Sequence, residues 1–165
     1  MKKLLILAFA TGLAACGFHL RGTADMPFAT VYVPNATSGI ALDLSRNLRA
    51  GSNVKVVDDP KQAEAILEFS GETRAKEILS LTGAGRVREF RLIYTVSFRV
   101  HDGKGGEFVP PTVLQLTRDM TYSDAEILAK ESEERLLIRD MQADMVQQLL
   151  RRISQAGPPK PAVVP

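Results

Sequence analysis

"REFRLIYTVSFRV", Arg88 to Val100, alternates with a period of two along its whole length. Phe90, Leu92, Tyr94, Val96, Phe98 and Val100 fall on one side, and Arg91, Ile93, Thr95, Ser97 and Arg99 on the other. Successive side chains of a strand point to opposite faces. The stretch therefore reads as a strand with one packed and one open face, as antiparallel sheets have. Working outward, both neighbours read as strands. Upstream, Leu67, Phe69, Gly71 and Thr73 alternate with Glu68, Ser70 and Glu72, in a run that continues to Leu81. Gly83 and Gly85 make the turn between them. Downstream, "DGKGGE" is a second turn and "TVLQLTRDMTY" a further strand. Pro110 and Pro111 lack ladder donors, so that strand is expected to start late, bulge or lie at an edge.

Further out the pattern changes. "FATVYV" (Phe28 to Val33) is rich in β-branched and aromatic residues and predicts a strand. In "SGIALDLSRNLRAG", Ile40, Leu44 and Leu48 recur every four residues, which predicts an amphipathic helix capped by Ser38 and stopped by Gly51. "NVKVVDD" predicts a short strand at Val54 to Val57, so strand, helix and strand form a βαβ-like unit with parallel pairing. At the other end, Ser123 and Glu126 have capping-box spacing at the start of a long helix. Its stripe of Ile138, Met141, Met145, Leu149 and Ile153 is expected to lie on the sheet. The fold class is α+β, in the order βα(β)βββα. Residues 28–156 form a single domain in this reading, and the Pro-rich residues 157–165 are expected to be disordered.

Before that domain, Lys2 and Lys3 precede an uncharged apolar run and then small residues, the layout of a signal peptide over residues 1–15. The single cysteine, Cys16, has no partner for an internal disulfide. Leu13-Ala14-Ala15-Cys16 resembles the lipobox of bacterial lipoproteins. That resemblance implies cleavage before Cys16, acylation of its thiol, and residues 16–27 as lipidated N-terminus and linker. Glycine rather than aspartate at position 17 points to the outer membrane. Cleavage removes two lysines and no acid, leaving 19 basic against 19 acidic residues. A globally basic nucleic-acid binder is disfavoured by that balance.

Signals for catalysis are poor. His19 and His101 are the only histidines, and neither has metal-ligand spacing to a second ligand. No G-x-S-x-G or P-loop occurs. Glu131, Glu133 and Glu134 read as a solvated helix face. "LTGAGRVREFR" is different: Arg86, Arg88 and Arg91 crowd the turn between two long strands. Arg86 and Arg88 share a face if the strand has begun, and guanidinium forks bind phosphate. The same residues also fit a plain solvated hairpin tip. Lys130 reads as a helix lysine paired with Glu126 or Glu134.

"CGFHLRG", "REFRLIYTVSFRV" and "YSDAEILAKESEERLLIRDMQADMVQQLLRRI" together resemble the LptE family of lipopolysaccharide-assembly lipoproteins. The resemblance implies two helices packed on a mostly antiparallel (mixed) four-stranded sheet, with no enzymatic activity and no cofactor or metal. It implies an outer-membrane, periplasm-facing protein that sits inside the lumen of the LptD β-barrel as plug and assembly aid. It also implies lipopolysaccharide binding through basic residues at the hairpin tip and near the start of the last helix. Lys130, in "LAK", matches the helix position. The tip position falls near Gly83, where the nearest basic residues are Arg86 and then Arg88. A barrel-stabilising lipoprotein that binds no lipid, and a small periplasmic hydrolase, are the alternatives.

Overall fold

The computed structural model describes residues 25–161. The signal peptide, lipobox, Cys16 and His19 lie outside the described residues. The decisive stretch forms β4 (Val87–His101), a central strand whose residues Leu92, Tyr94, Val96, Phe98 and Val100 are all buried. It pairs antiparallel with β3 (Ala65–Leu81) on one side and β5 (Gly106–Thr121) on the other. Ahead of this meander, β1 (Thr30–Tyr32) pairs in parallel with both β2 (Lys55–Val57) and the first residues of β3.

The expectations for the sheet and for the C-terminal tail require correction. The sheet of the described residues has six strands, not four, in the order β2-β1-β3-β4-β5-β6. β2 joins it as a full neighbour of β1, and Lys160–Pro161 adds β6 against Gly106 and Glu107. The Pro-rich stretch expected to be disordered is thus ordered as far as Pro161. Proline at a sheet edge needs no ladder donor on its outer side, which is how this segment enters the sheet.

Both helices lie where their periodicity places them. α1 (Gly39–Gly51) buries Ile40, Ala41, Leu44 and Leu48. The Ser38 side chain makes no capping bond; its carbonyl accepts from Leu42 at 3.4 Å. Gly51 is the last helical residue, and Ser52 closes the helix by donating from Oγ to the Leu48 carbonyl at 2.6 Å. α2 (Ile127–Ser154) has 28 residues and a length of about 42 Å. The expected capping box is not formed. Asp124–Glu126 instead makes a 3₁₀ turn, in which the Glu126 N–H donates to the Ser123 carbonyl at 3.0 Å.

The buried residues of α2 (Met141, Met145, Val146, Leu149 and Ile153) all lie in its C-terminal half. The core forms there, with α1, β1 and the adjoining halves of β3 to β5 around it. The other end of the molecule has another construction. β1 reaches only Ala65 and Ile66, so beyond them the sheet narrows to β3, β4 and β5. A bulge between Phe69 and Gly71 also reverses the alternation of β3. Glu72, Arg74 and Lys76 now face the helices, opposite Val96, Tyr94 and Leu92. The polar row is matched there. The Tyr94 hydroxyl donates to Glu72 at 2.8 Å, Arg74 to Gln142 at 2.7 Å, and Gln142 in turn to Asp43 at 2.6 Å. This chain of bonds links β4, β3, α2 and α1. Burial and the Glu72 carboxylate raise the Tyr94 hydroxyl above the ordinary phenol range.

At the core end the β4–β5 turn depends on one carboxylate. Asp102 accepts from the N–H of Lys104 at 2.7 Å and of Gly106 at 2.8 Å, while Gly103 and Gly105 supply the positive φ the turn needs. These donors hold the Asp102 carboxyl below its ordinary value of 3.8. A depressed folded pKa contributes stability above the unfolded value, and that stability is lost as pH falls through the folded one. Asp102→Asn is therefore expected to lower the melting temperature near pH 7 and to flatten its fall below about pH 4. Thermal unfolding of both proteins at pH 7 and pH 3 checks this; parallel curves would refute it.

Candidate functional site

The end of the sheet remote from the core carries the residues singled out above. The β3–β4 hairpin closes over Thr82 to Arg86. Thr82 N–H donates to the Arg86 carbonyl at 2.7 Å, and Gly85 N–H to the Thr82 carbonyl at 2.9 Å. Gly85 has φ +76°, so a side chain there would be strained. Arg86 stands just outside the strand. Its side chain is 75% exposed, with Asp124 the nearest carboxylate at 4.0 Å. Arg88 is exposed too, and it enters no ion pair among the described residues. It is skipped in both registers of β4: the β3 ladder shifts there, and the β5 ladder begins at Glu89. Its carbonyl accepts from Tyr122 at 2.8 Å. The simple even-numbered alternation expected for Arg86 and Arg88 therefore fails, because one precedes the strand and the other sits at a bulge.

Lys130 is not the exposed cation its helix position predicted. Its side chain is 14% exposed and its ammonium is held by Thr121 at 3.0 Å and Glu133 at 2.9 Å. The partner is Glu133, three residues on, in place of Glu126 or Glu134. Glu134 instead receives Lys76, which also lies over the Phe90 ring at 4.2 Å. Two of the three glutamates read as a solvated face are thus engaged by lysines. Arg91 is engaged as well. It forms a two-pronged pair with Asp119 at 2.8 and 3.0 Å on the open face, which raises its own pKa and lowers that of Asp119. Of the cations near the tip, Arg86 and Arg88 have the least claimed guanidinium groups.

A second feature at this pole does not follow from alternation. Ile78, Leu79 and Leu81, at the end of β3, are 59%, 40% and 54% exposed. Ile127 and Leu128, in the first turn of α2, are 45% and 79% exposed. Leu79 is the extra residue of a bulge, between the pairs Ile78–Phe90 and Ser80–Glu89. The run Ile78-Leu79-Ser80-Leu81 was the available signal, since it breaks strict alternation just before the turn. Monomeric proteins rarely leave neighbouring large aliphatic residues in water without a partner. Cations and aliphatic side chains thus share one end of the molecule.

His101 has only local work: its Nδ1 accepts from Gly103 N–H at 3.1 Å, and its Nε2 lies 3.5 Å from Glu68. Among the described residues no three His, Cys, Asp or Glu side chains group to hold a metal ion. No helix among them is long and apolar enough to cross a membrane. Fold and pole together define a class of protein: a small α+β domain that exposes cations and aliphatic side chains at one end of its sheet.

The comparisons narrow that class. The model of the LptE family, described as lipopolysaccharide-assembly, matches residues 28–153. The LPS-assembly lipoprotein LptE of Pectobacterium atrosepticum is 28% identical over 154 residues, covering 90% of this chain and 83% of that protein. That of Yersinia enterocolitica is 29% identical over 159 residues, covering 91% and 74%. In structure, the chain is similar to an uncharacterized lipoprotein B from Nitrosomonas europaea, with TM-score 0.72 and 42% identity over 84% of this chain and 90% of that one. The rare lipoprotein B from Shewanella oneidensis follows the same fold, with TM-score 0.62 and 27% identity over 74% and 89%. The chain belongs to the LptE family. It is a non-enzymatic lipoprotein of the Gram-negative outer membrane with a role in lipopolysaccharide assembly.

Proposed function

We propose that the hairpin-tip pole binds lipopolysaccharide, and that the chain serves as plug and assembly aid of the LptD β-barrel. One observation carries the first part: exposed arginines and exposed aliphatic side chains lie together at the end of the sheet. The lipid end of lipopolysaccharide joins phosphates to acyl chains, so a surface with both chemistries matches it. Arg86 and Arg88 supply forked donors to the phosphates. Ile78, Leu79, Leu81, Ile127 and Leu128 offer apolar surface to the chains. Lys130 adds a third positive charge nearby, with its ammonium held by Thr121 and Glu133. No bond is made or broken; cations that engage the phosphates displace the divalent ions that hold the lipid in aggregates.

The barrel contact rests on the family resemblance together with the open face of the sheet. Around Thr95 and Ser97 neither helix of the described residues covers that face, and its charged groups are largely neutralised in pairs such as Arg91–Asp119 and Arg99–Glu68. A surface of this kind suits a wall that offers shape and polar partners. Cys16, with its two-chain lipid, tethers the chain to the membrane. Isolation of the tagged full chain from detergent-solubilised outer membranes tests this part. The expected result is an LptD barrel in the same complex and an intact mass carrying acyl chains on a polypeptide that begins at Cys16. A chain recovered alone, at a mass that includes residues 1–15, would overturn it.

A further inference from the structure

The opposite end of the sheet holds a groove that the reading above does not use. It is a cleft of about 570 Å³ between α1 and the ends of β1 and β2, with the loop after β1 along one side. On the helix side it is lined by Leu42, Ser45, Arg46 and Arg49. Their spacing of three and four makes one stripe, next to the stripe that enters the core. On the sheet side lie Val56 and Val57. Arg46 makes no ion pair among the described residues. Arg49 has only Asp58, 3.8 Å away and itself fully exposed. An apolar floor is thus overhung by two guanidinium groups with little to neutralise them.

Among the described residues, β2 is also the last strand of the sheet on this side. Lys55 N–H donates inward to the Ala29 carbonyl at 2.9 Å. Backbone groups alternate in direction along a strand, so the N–H and C=O of Val56 point outward, beside the cleft. We propose that this groove docks an extended acidic peptide segment of a partner protein, which adds beside β2 as a further strand. Main-chain bonds to Val56 set its register, an apolar side chain rests against Leu42 and Val56, and carboxylates two residues to either side of it meet Arg46 and Arg49. Strand addition beside a helix combines backbone bonding with side-chain pockets in this way. An anionic lipid would satisfy the arginines but leave the outward backbone groups of Val56 without a partner.

The test uses the full chain in nonionic detergent and a fluorescein-labelled peptide, Asp-Ser-Val-Ser-Asp, whose valine and carboxylates share one face of a strand, followed by fluorescence anisotropy. Saturable binding is expected, with at least tenfold weaker binding of the peptide in which lysine replaces aspartate. Methylation of the central valine nitrogen on the side facing β2 should also weaken binding at least tenfold, in a measurement that needs no protein variant. The double change Arg46→Glu plus Arg49→Glu should do the same, with circular dichroism confirming the fold. Equal binding of the acidic and lysine peptides, or no loss in the double variant, overturns the proposal. So does undiminished binding of the methylated peptide, or saturable binding of dodecyl phosphate with none of the acidic peptide. None of these outcomes involves the hairpin-tip pole.

Discussion

Met145→Asp is expected to unfold the chain or lower its melting temperature by roughly 10–20 °C. Met145 is fully buried at the middle of the packed half of α2, in the same cluster as Met141, Leu149, Val96 and Phe98. A carboxylate there has no cation to pair with in the cluster. It must lose its hydration, take up a proton or push the helix off the sheet. Each route costs about 3–5 kcal/mol, against a total stability of about 5–15 kcal/mol for a domain. Leu136→Asp makes the contrast, since Leu136 lies on the same helix but is 54% exposed. That change should alter stability by no more than about 0.5 kcal/mol. Circular dichroism melts of the two variants and the parent chain, in one detergent, check both. Equal melting curves for Met145→Asp and the parent would mean that α2 is not what closes the core.

The core half of this fold was legible because its chemistry is periodic. Leu92 to Val100 alternate and are buried in alternation; Ile40, Leu44 and Leu48 recur at helical spacing and are buried together. The remote half was legible only in outline. The bulge after Phe69 turns Glu72, Arg74 and Lys76 toward α2, and a one-residue shift of that kind leaves no mark in composition. Their partners Gln142 and Glu134 lie 68 and 58 residues away in the chain, beyond any local pattern. The same limit applies to Lys130. Its helix position is correct, but its burial against Thr121 depends on how α2 crosses β5. β6 escaped for another reason: two residues rich in proline hold no strand signal, and only the neighbouring Gly106–Glu107 gives them something to pair with. The arginines of the tip were found because a turn needs glycine and polar residues at short spacing. The aliphatic residues beside them are harder to read: Ile78, Leu79 and Leu81 fit a strand and Ile127 and Leu128 a helix, and only the tertiary structure sets their exposure.

Charge reversal at the tip is expected to have the largest effect on ligand binding. In Arg86→Asp plus Arg88→Asp, two cations that face solvent become two anions, so repulsion replaces attraction toward a phosphorylated lipid. A hydrogen bond to a charged group is worth about 1.5–3 kcal/mol when desolvated, and an exposed ion pair about 0–1 kcal/mol. Both arginines begin exposed and become covered only by ligand, so the combined loss falls between these limits, roughly tenfold to hundredfold in affinity. Neither side chain packs in the core, and the fold should persist. Lys130→Ala serves as the companion. Its ammonium is already occupied by Thr121 and Glu133, so it should weaken binding less than the arginine pair does.

The deciding measurement is a titration of the full chain with purified lipopolysaccharide at low and high salt, for the parent and the Arg86→Asp plus Arg88→Asp variant. Saturable binding by the parent is expected, with a tenfold or greater loss in the folded variant and a smaller gap at high salt, where exposed charges are screened. A folded variant that binds lipopolysaccharide as tightly as the parent would contradict that expectation, and the amphipathic pole would then have another purpose.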